Sequence, residues 1–129
     1  LYVSDKGVKV HPDAEAAAPK EIVMDHKSCR YEPHAIGVWA AKTKIKFGNT
    51  DDIQHAVQFN SFKNGSLNQN VVKGATVEHV FQAAEKVPVT ITCGIHPWEK
   101  GLVLVCDNPY FAVSGKDGTF KIENLPTGK

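Results

Sequence analysis

The sequence predicts an all-β protein, a sandwich of roughly seven to nine short strands. Three observations carry that reading. Short runs rich in β-branched and aromatic residues recur along most of the chain. Gly- and Asn-containing clusters punctuate them at "FGNTDD", "KNGSLNQN" and "SGKDGT". Only "DAEAAAPKE" (13–21) has a helical composition, and Pro19 limits its length.

Taken in order, residues 1–20 read as an N-terminal extension or tether that contains the helical stretch. The strands follow at "EIVM" (21–24), "HAIGVWA" (34–40), "TKIKF" (43–47), "TVEHVF" (76–81), "VPVTIT" (87–92) and "LVLVC" (102–106). "TKIKF" and "TVEHVF" alternate like strands with one face in water. "LVLVC" is continuously apolar, which suits a strand buried on both faces. "YFAVS" (110–114) and "TFKIE" (119–123) flank "KDGT", whose Asp-Gly pair tolerates the positive φ of a tight turn, so 107–129 is expected to add a hairpin to the body at 21–129.

The 129 residues suffice for one domain. Fifteen Lys and Arg against fourteen Asp and Glu leave a net charge of +1, which supplies neither a basic field for nucleic acid nor a polybasic membrane patch. No apolar run approaches the roughly 18 residues a membrane span needs. The chain opens "LYVSDKGVKV", without an initiator Met or a signal peptide, and reads as a mature or trimmed product.

The chemistry concentrates in "CGIHPWEKG" (93–101), where Cys93, His96 and Glu99 are spaced three residues apart after an apolar strand. A loop anchored by two strands can present several ligands to one point. A zinc finger would bring a second nearby Cys or His pair, whereas here the other candidates lie far upstream. One thiolate and two imidazoles on such a loop suit a trigonal copper site with a weak fourth ligand.

"CGIHPWEKGLVLV" resembles the copper loop of the cupredoxins, the blue copper proteins, most closely the short amicyanin type Cys-x-x-His-Pro-x-Met. "CRYEPH" (29–34), "NTDDIQH" (49–55) and "NPYFAVSGKDGTFKIENLPTG" (108–128) extend the resemblance over about residues 24–129, in order and at compatible spacing. It implies a Greek-key β-sandwich binding one copper ion, with His55 as the upstream ligand, Cys93 as the thiolate and His96 as the second imidazole. His34, Asn49 and Trp98 fall where they would support the ligands or, for His34, contribute to a second metal position. The last segment is also similar to the hairpin of carboxypeptidase-regulatory-like sandwiches.

Two departures from the pattern matter. Glu99 stands where the family has Met, and the single methionine, Met24, lies on another strand. Ala56 replaces the Asn that often ties the two ligand segments together. A hard anionic carboxylate binds Cu(II) more strongly than Cu(I), so coordination by Glu99 would lower the reduction potential and alter the colour. A red copper site with an axial Glu occurs among the cupredoxins. The alternative is a Glu99 that points to solvent and leaves three protein ligands. His11, His26 and His79 are expected at the surface, with partial burial open for His79; Trp39 is expected in the core. Cys29 and Cys106 could form a disulfide in an oxidising compartment, or remain two buried thiols.

What the resemblance implies is an exported, periplasmic-type electron carrier rather than an enzyme. Its redox protein partners would dock near Pro97 and Trp98. Two other readings stay open: a small redox or nitrogen-oxide enzyme with an open copper position, and a copper or zinc carrier.

Overall fold

Two sheets face each other across an apolar core in the computed structural model, which describes residues 1–4 and 7–127. Asp5, Lys6, Gly128 and Lys129, parts of the expected tether and terminal hairpin, lie outside the described residues. The strands are β1 (Glu21–His26), β2 (Tyr31–Glu32), β3 (Ala35–Trp39), β4 (Lys44–Asn49), β5 (His55–Asn60), β6 (Ser66–Val71), β7 (Thr76–His79), β8 (Val89–Cys93) and β9 (Lys100–Cys106). A short helix, α1 (Pro12–Ala17), precedes them. Its first turn is capped by His11, whose Nδ1 accepts from the Asp13 N–H at 3.2 Å.

One sheet has the order β2-β1-β4-β7 and the other β3-β9-β8-β5-β6. β1 and β4 run parallel, with His26 opposite Asn49. β3 and β9 also run parallel, with Trp39 opposite Cys106. The remaining pairs are antiparallel.

Alternation builds the core. Ile45 and Phe47 of "TKIKF" point inward and are fully buried. Lys44 and Lys46 point outward, at 3.0 Å from Glu78 and 2.8 Å from Glu21. Met24 and Val77 join Ile45 and Phe47 from the first sheet, facing Val38, Val57, Phe59, Ile91, Val103 and Val105 from the second. Each such burial contributes about 1.5–3 kcal/mol, whereas the exposed ion pairs contribute about 0–1 kcal/mol.

Several segments differ from expectation. "LVLVC" is not buried on both faces: Val103 and Val105 enter the core while Leu102 is 37% exposed on the outer face. "KNGSLNQN" is not mere punctuation. Its second half forms β6, an edge strand whose polar side chains face water. "YFAVS" and "TFKIE" do not pair as a ladder among the described residues. The turn between them does close, with the Gly115 N–H donating to Thr119 O at 2.9 Å.

The partner of 110–112 is instead the N-terminus. Tyr2 bridges Phe111, and the Val3 N–H donates to Tyr110 O at 2.9 Å. This pair of segments lies on the outer face of β3. A Cβ on Gly37 would come within 2.4 Å of two Phe111 ring carbons, so only glycine admits the ring there.

Two aromatic positions also differ from expectation. Trp39 is half-buried at the rim, donating from Nε1 to Asp107 O at 3.1 Å. His79 is half-buried rather than on the surface, edge-on to Phe59 and Phe81, and burial pushes its pKa down.

The strand ends set up the site. β1 finishes at His26 beside the end of β4 at Asn49, β5 begins at His55, and Val57 pairs with Cys93 at the end of β8. All four termini therefore gather at one end of the sandwich.

Candidate metal centre

The 93–99 loop closes on itself through backbone hydrogen bonds. The Cys93 N–H donates to Glu99 O at 3.2 Å, and the Glu99 N–H donates to His96 O at 2.9 Å. This fold turns Cys93, His96 and Glu99 toward the same interior point. His55 reaches that point from β5, where period-two alternation puts it on the same inward face as Val57.

Three atoms form a compact triangle. His55 Nδ1 and His96 Nδ1 are 3.1 Å apart, and Cys93 Sγ lies 3.7 Å from His96 Nδ1 and 4.0 Å from His55 Nδ1. The point equidistant from all three lies about 2.1 Å from each, within the roughly 2.0–2.3 Å of metal–imidazole and metal–thiolate bonds. The donor set therefore fits a metal ion in size as well as in kind.

The surroundings of His55 suit the same use. His55 Nε2 lies 3.0 Å from Asp51 Oδ2, and an N–H donated there would leave Nδ1 free to act as a ligand. Nδ1 lies 2.9 Å from Glu99 Oε2 and close to the two other triangle atoms, so four potential ligand atoms converge in a buried space.

Asp51 holds more than His55. Its Oδ1 accepts from the Ser28 N–H at 2.7 Å and its Oδ2 from the Cys29 N–H at 2.8 Å. Ser28 and Cys29 both adopt left-handed backbone, with φ of 54° and 55°, which aims their successive N–H groups at one carboxylate. Burial acts to raise the Asp51 pKa, but these N–H groups and His55 outweigh it and hold the carboxyl below its ordinary range.

Glu99 does not point to solvent. It is 1% exposed, with Oε2 at 3.5 Å from His96 Nδ1 as well as close to His55. Its Oε1 lies 2.7 Å from Nδ1 of His26, which corrects the expectation that His26 is a surface residue. His26 is fully buried, its ring stacked on His55 at 4.5 Å. Burial, opposed by Glu99, lowers its pKa. The signal was present in the sequence. Continuing β1 two residues past "EIVM" puts His26 on the same inward face as Met24.

The remaining expected site residues divide. Asn49 is buried and donates from Nδ2 to Ile53 O and Val71 O, both at 2.8 Å, pinning the loop that delivers His55. The tie that Ala56 cannot make by side chain is made by its backbone: the Ala56 N–H donates to Cys93 Sγ at 3.3 Å. The Trp98 ring lies 5.1 Å from that of His96, tilted by 44°, and donates from Nε1 to Cys29 O at 3.2 Å, yet remains 66% exposed. His34 is not among the side chains that converge on the cluster. Its side chain is exposed and its carbonyl accepts from the Leu102 N–H.

The disulfide does not form, and all three cysteines are free. Cys29 sits at the site end beside Trp98 and Asp51, whereas Cys106 ends β9, six residues beyond Lys100. At roughly 3.3 Å per residue that strand separates the two Cα atoms by much more than the roughly 7 Å limit for a bridge. Burial pushes the Cys106 thiol up to about 11.

No family model and no curated protein matches the sequence. Solved structures do match. The Cu(I) form of an amicyanin variant with Gln in place of a Met superposes with a TM-score of 0.60 at 23% identity, covering 71% of this chain and 89% of that one. A reduced amicyanin variant with Tyr in place of a Trp gives 0.61 at 22% identity, over 80% and 95% of the two chains. The fold is cupredoxin-like. A purple cupredoxin from Nitrosopumilus maritimus is also similar, with a TM-score of 0.53 at 23% identity, covering 67% of this chain and 98% of that chain.

Proposed function

We propose that this protein carries single electrons on one copper ion held by His55 Nδ1, His96 Nδ1 and Cys93 Sγ, with Glu99 Oε2 as the fourth ligand. The observation that carries the reading is the three-atom triangle, whose centre lies about one metal–ligand bond length from each corner. Bound copper supplies a one-electron couple. The protein's part is to keep the ligands in place through both oxidation states. Closure of the 93–99 loop, the Asp51 bonds to His55, and the Ala56 N–H on Cys93 all act to that end.

Glu99 sets the poise of the couple. Thiolate and carboxylate together balance a dication, whereas a monocation leaves one buried negative charge. The carboxylate therefore stabilises Cu(II) and lowers the potential relative to a thioether in the same place.

Electron exit falls to His96, whose side chain is 15% exposed while those of His55 and Glu99 are fully buried. Beside it Ile95 and Trp98 are 44% and 66% exposed, and Pro97 between His96 and Trp98 is exposed too. This apolar rim would dock a redox protein partner at short range from the copper. No described helix is long and apolar enough to cross a membrane. A thiolate–copper carrier of this kind suits an exported, periplasmic-type compartment.

Voltammetry of the copper-loaded protein tests the reading. A reversible one-electron wave that moves to higher potential in Glu99→Met is expected. Binding of copper without any reversible wave would contradict it and favour a metal carrier.

A further inference from the structure

The two oxygens of Glu99 face different groups. Oε2 looks toward His55 Nδ1 and His96 Nδ1, while Oε1 receives Nδ1 of His26 at 2.7 Å. His26 has little freedom to do otherwise. Its ring lies flat on His55 with an interplanar angle of 16° and against Tyr31 at 4.5 Å, and its carbonyl accepts from the Thr50 N–H at 3.1 Å.

The other nitrogen of that ring makes the arrangement informative. His26 Nε2 is buried with no hydrogen-bond partner among the described residues. Leaving a buried polar atom so costs about 1–3 kcal/mol, which an apolar residue at this inward position of β1 would avoid. Packing alone therefore disfavours histidine here, and the favourable contact it makes is the bond to Glu99. An imidazole N–H is also a suitable donor, since ligating carboxylates are themselves held by hydrogen bonds.

We propose that His26 is a positioning residue, whose Nδ1–H anchors Glu99 Oε1 so that Oε2 alone is presented to the metal. This rests on the reading of Glu99 as the fourth ligand. Without the anchor the carboxylate turns both oxygens to the cation and favours Cu(II) further.

The test uses the copper-loaded protein, with visible absorption and the ratio of Cu(II) to Cu(I) affinity as readouts. His26→Phe removes the donor while filling the space. His26→Asn keeps an N–H near the position of Nδ1. His26→Leu serves if the phenylalanine variant does not fold. Each is made alone and together with Glu99→Met. The Phe or Leu variant is expected to shift the thiolate absorption further from the blue type and to raise the affinity ratio about 10–100-fold, the size of one hydrogen bond to a charged group. The Asn variant is expected to stay near wild type, and on the Glu99→Met background the His26 substitutions are expected to change neither readout. If Glu99→Met alters the spectrum but His26→Phe and His26→Leu do not, the anchor is overturned and Glu99 remains a ligand. An effect that persists on the Glu99→Met background overturns the anchor as well. If Glu99→Met itself leaves the spectrum unchanged, the fourth-ligand reading fails and the anchor fails with it.

Discussion

Asp51 connects three parts of the site through one carboxylate: the left-handed turn at Ser28 and Cys29, the imidazole of His55 and, through that ring, the Nδ1 that faces Glu99, His96 and Cys93. Two left-handed non-glycine residues cost about 1–2 kcal/mol each, which the charge-assisted bonds to Asp51 offset. Asp51→Ala frees the His55 ring and loosens the turn. A chelator competition should then show copper affinity about 10–100-fold weaker, the usual effect of losing an outer hydrogen bond to a ligating histidine. At this scale the sequence was partly readable. Cys93, His96 and Glu99 are legible because they are local, three residues apart on one loop. His55 is legible through "NTDDIQH". Asp51 lies in the same motif but has no signature that separates it from Asp52, since its role depends on a turn more than twenty residues upstream. His26 was missed because the strand was expected to stop two residues early.

Between elements, the loops are held by a few polar side chains rather than by ladders. Glu85, on the connection from β7 to β8, accepts from the Lys63 N–H at 2.8 Å and from Asn64 Nδ2 at 2.7 Å, clamping the β5–β6 turn. Burial acts to raise its pKa, but the Lys63 and Asn64 donors prevail and keep it below the ordinary 4.5. The folded-state pKa is thus depressed. Its stabilisation is fully present above the ordinary value and is lost as pH falls through the folded one. Urea unfolding should find Glu85→Gln less stable than wild type by about 1–3 kcal/mol at pH 7, with the gap closing as the pH drops below that range. In the core, Phe47→Ala should cost about 3–5 kcal/mol by the same measurement. Strands such as β4 and β8 are legible because one face is buried, so apolar residues alternate with polar ones. β6 is not, because an edge strand reading "SLNQNV" carries polar side chains in water and is specified by its pairing with β5. The Asn64-Gly65 pair before it was the available hairpin signal.

For the whole molecule, charge and topology decide what the site can meet. With a net charge of +1 and an apolar rim around His96, long-range steering is weak. Electron-transfer rate constants with a small redox protein should therefore change less than about threefold between low and physiological ionic strength, measured by stopped flow. A steep salt dependence would place docking on a charged face instead. The sandwich itself follows from strand count and alternation, but the pairing of residues 110–112 with the N-terminus does not. It joins segments more than a hundred residues apart, and their local composition suits a hairpin equally well. The central claim is that His55, His96, Cys93 and Glu99 form one copper site. Its most direct test is the visible spectrum of the metal-free protein titrated with Cu(II). An intense thiolate band saturating at about one equivalent, lost in Cys93→Ser and shifted in Glu99→Met, is the predicted result. Saturation without such a band, or a band indifferent to Cys93→Ser, would contradict it.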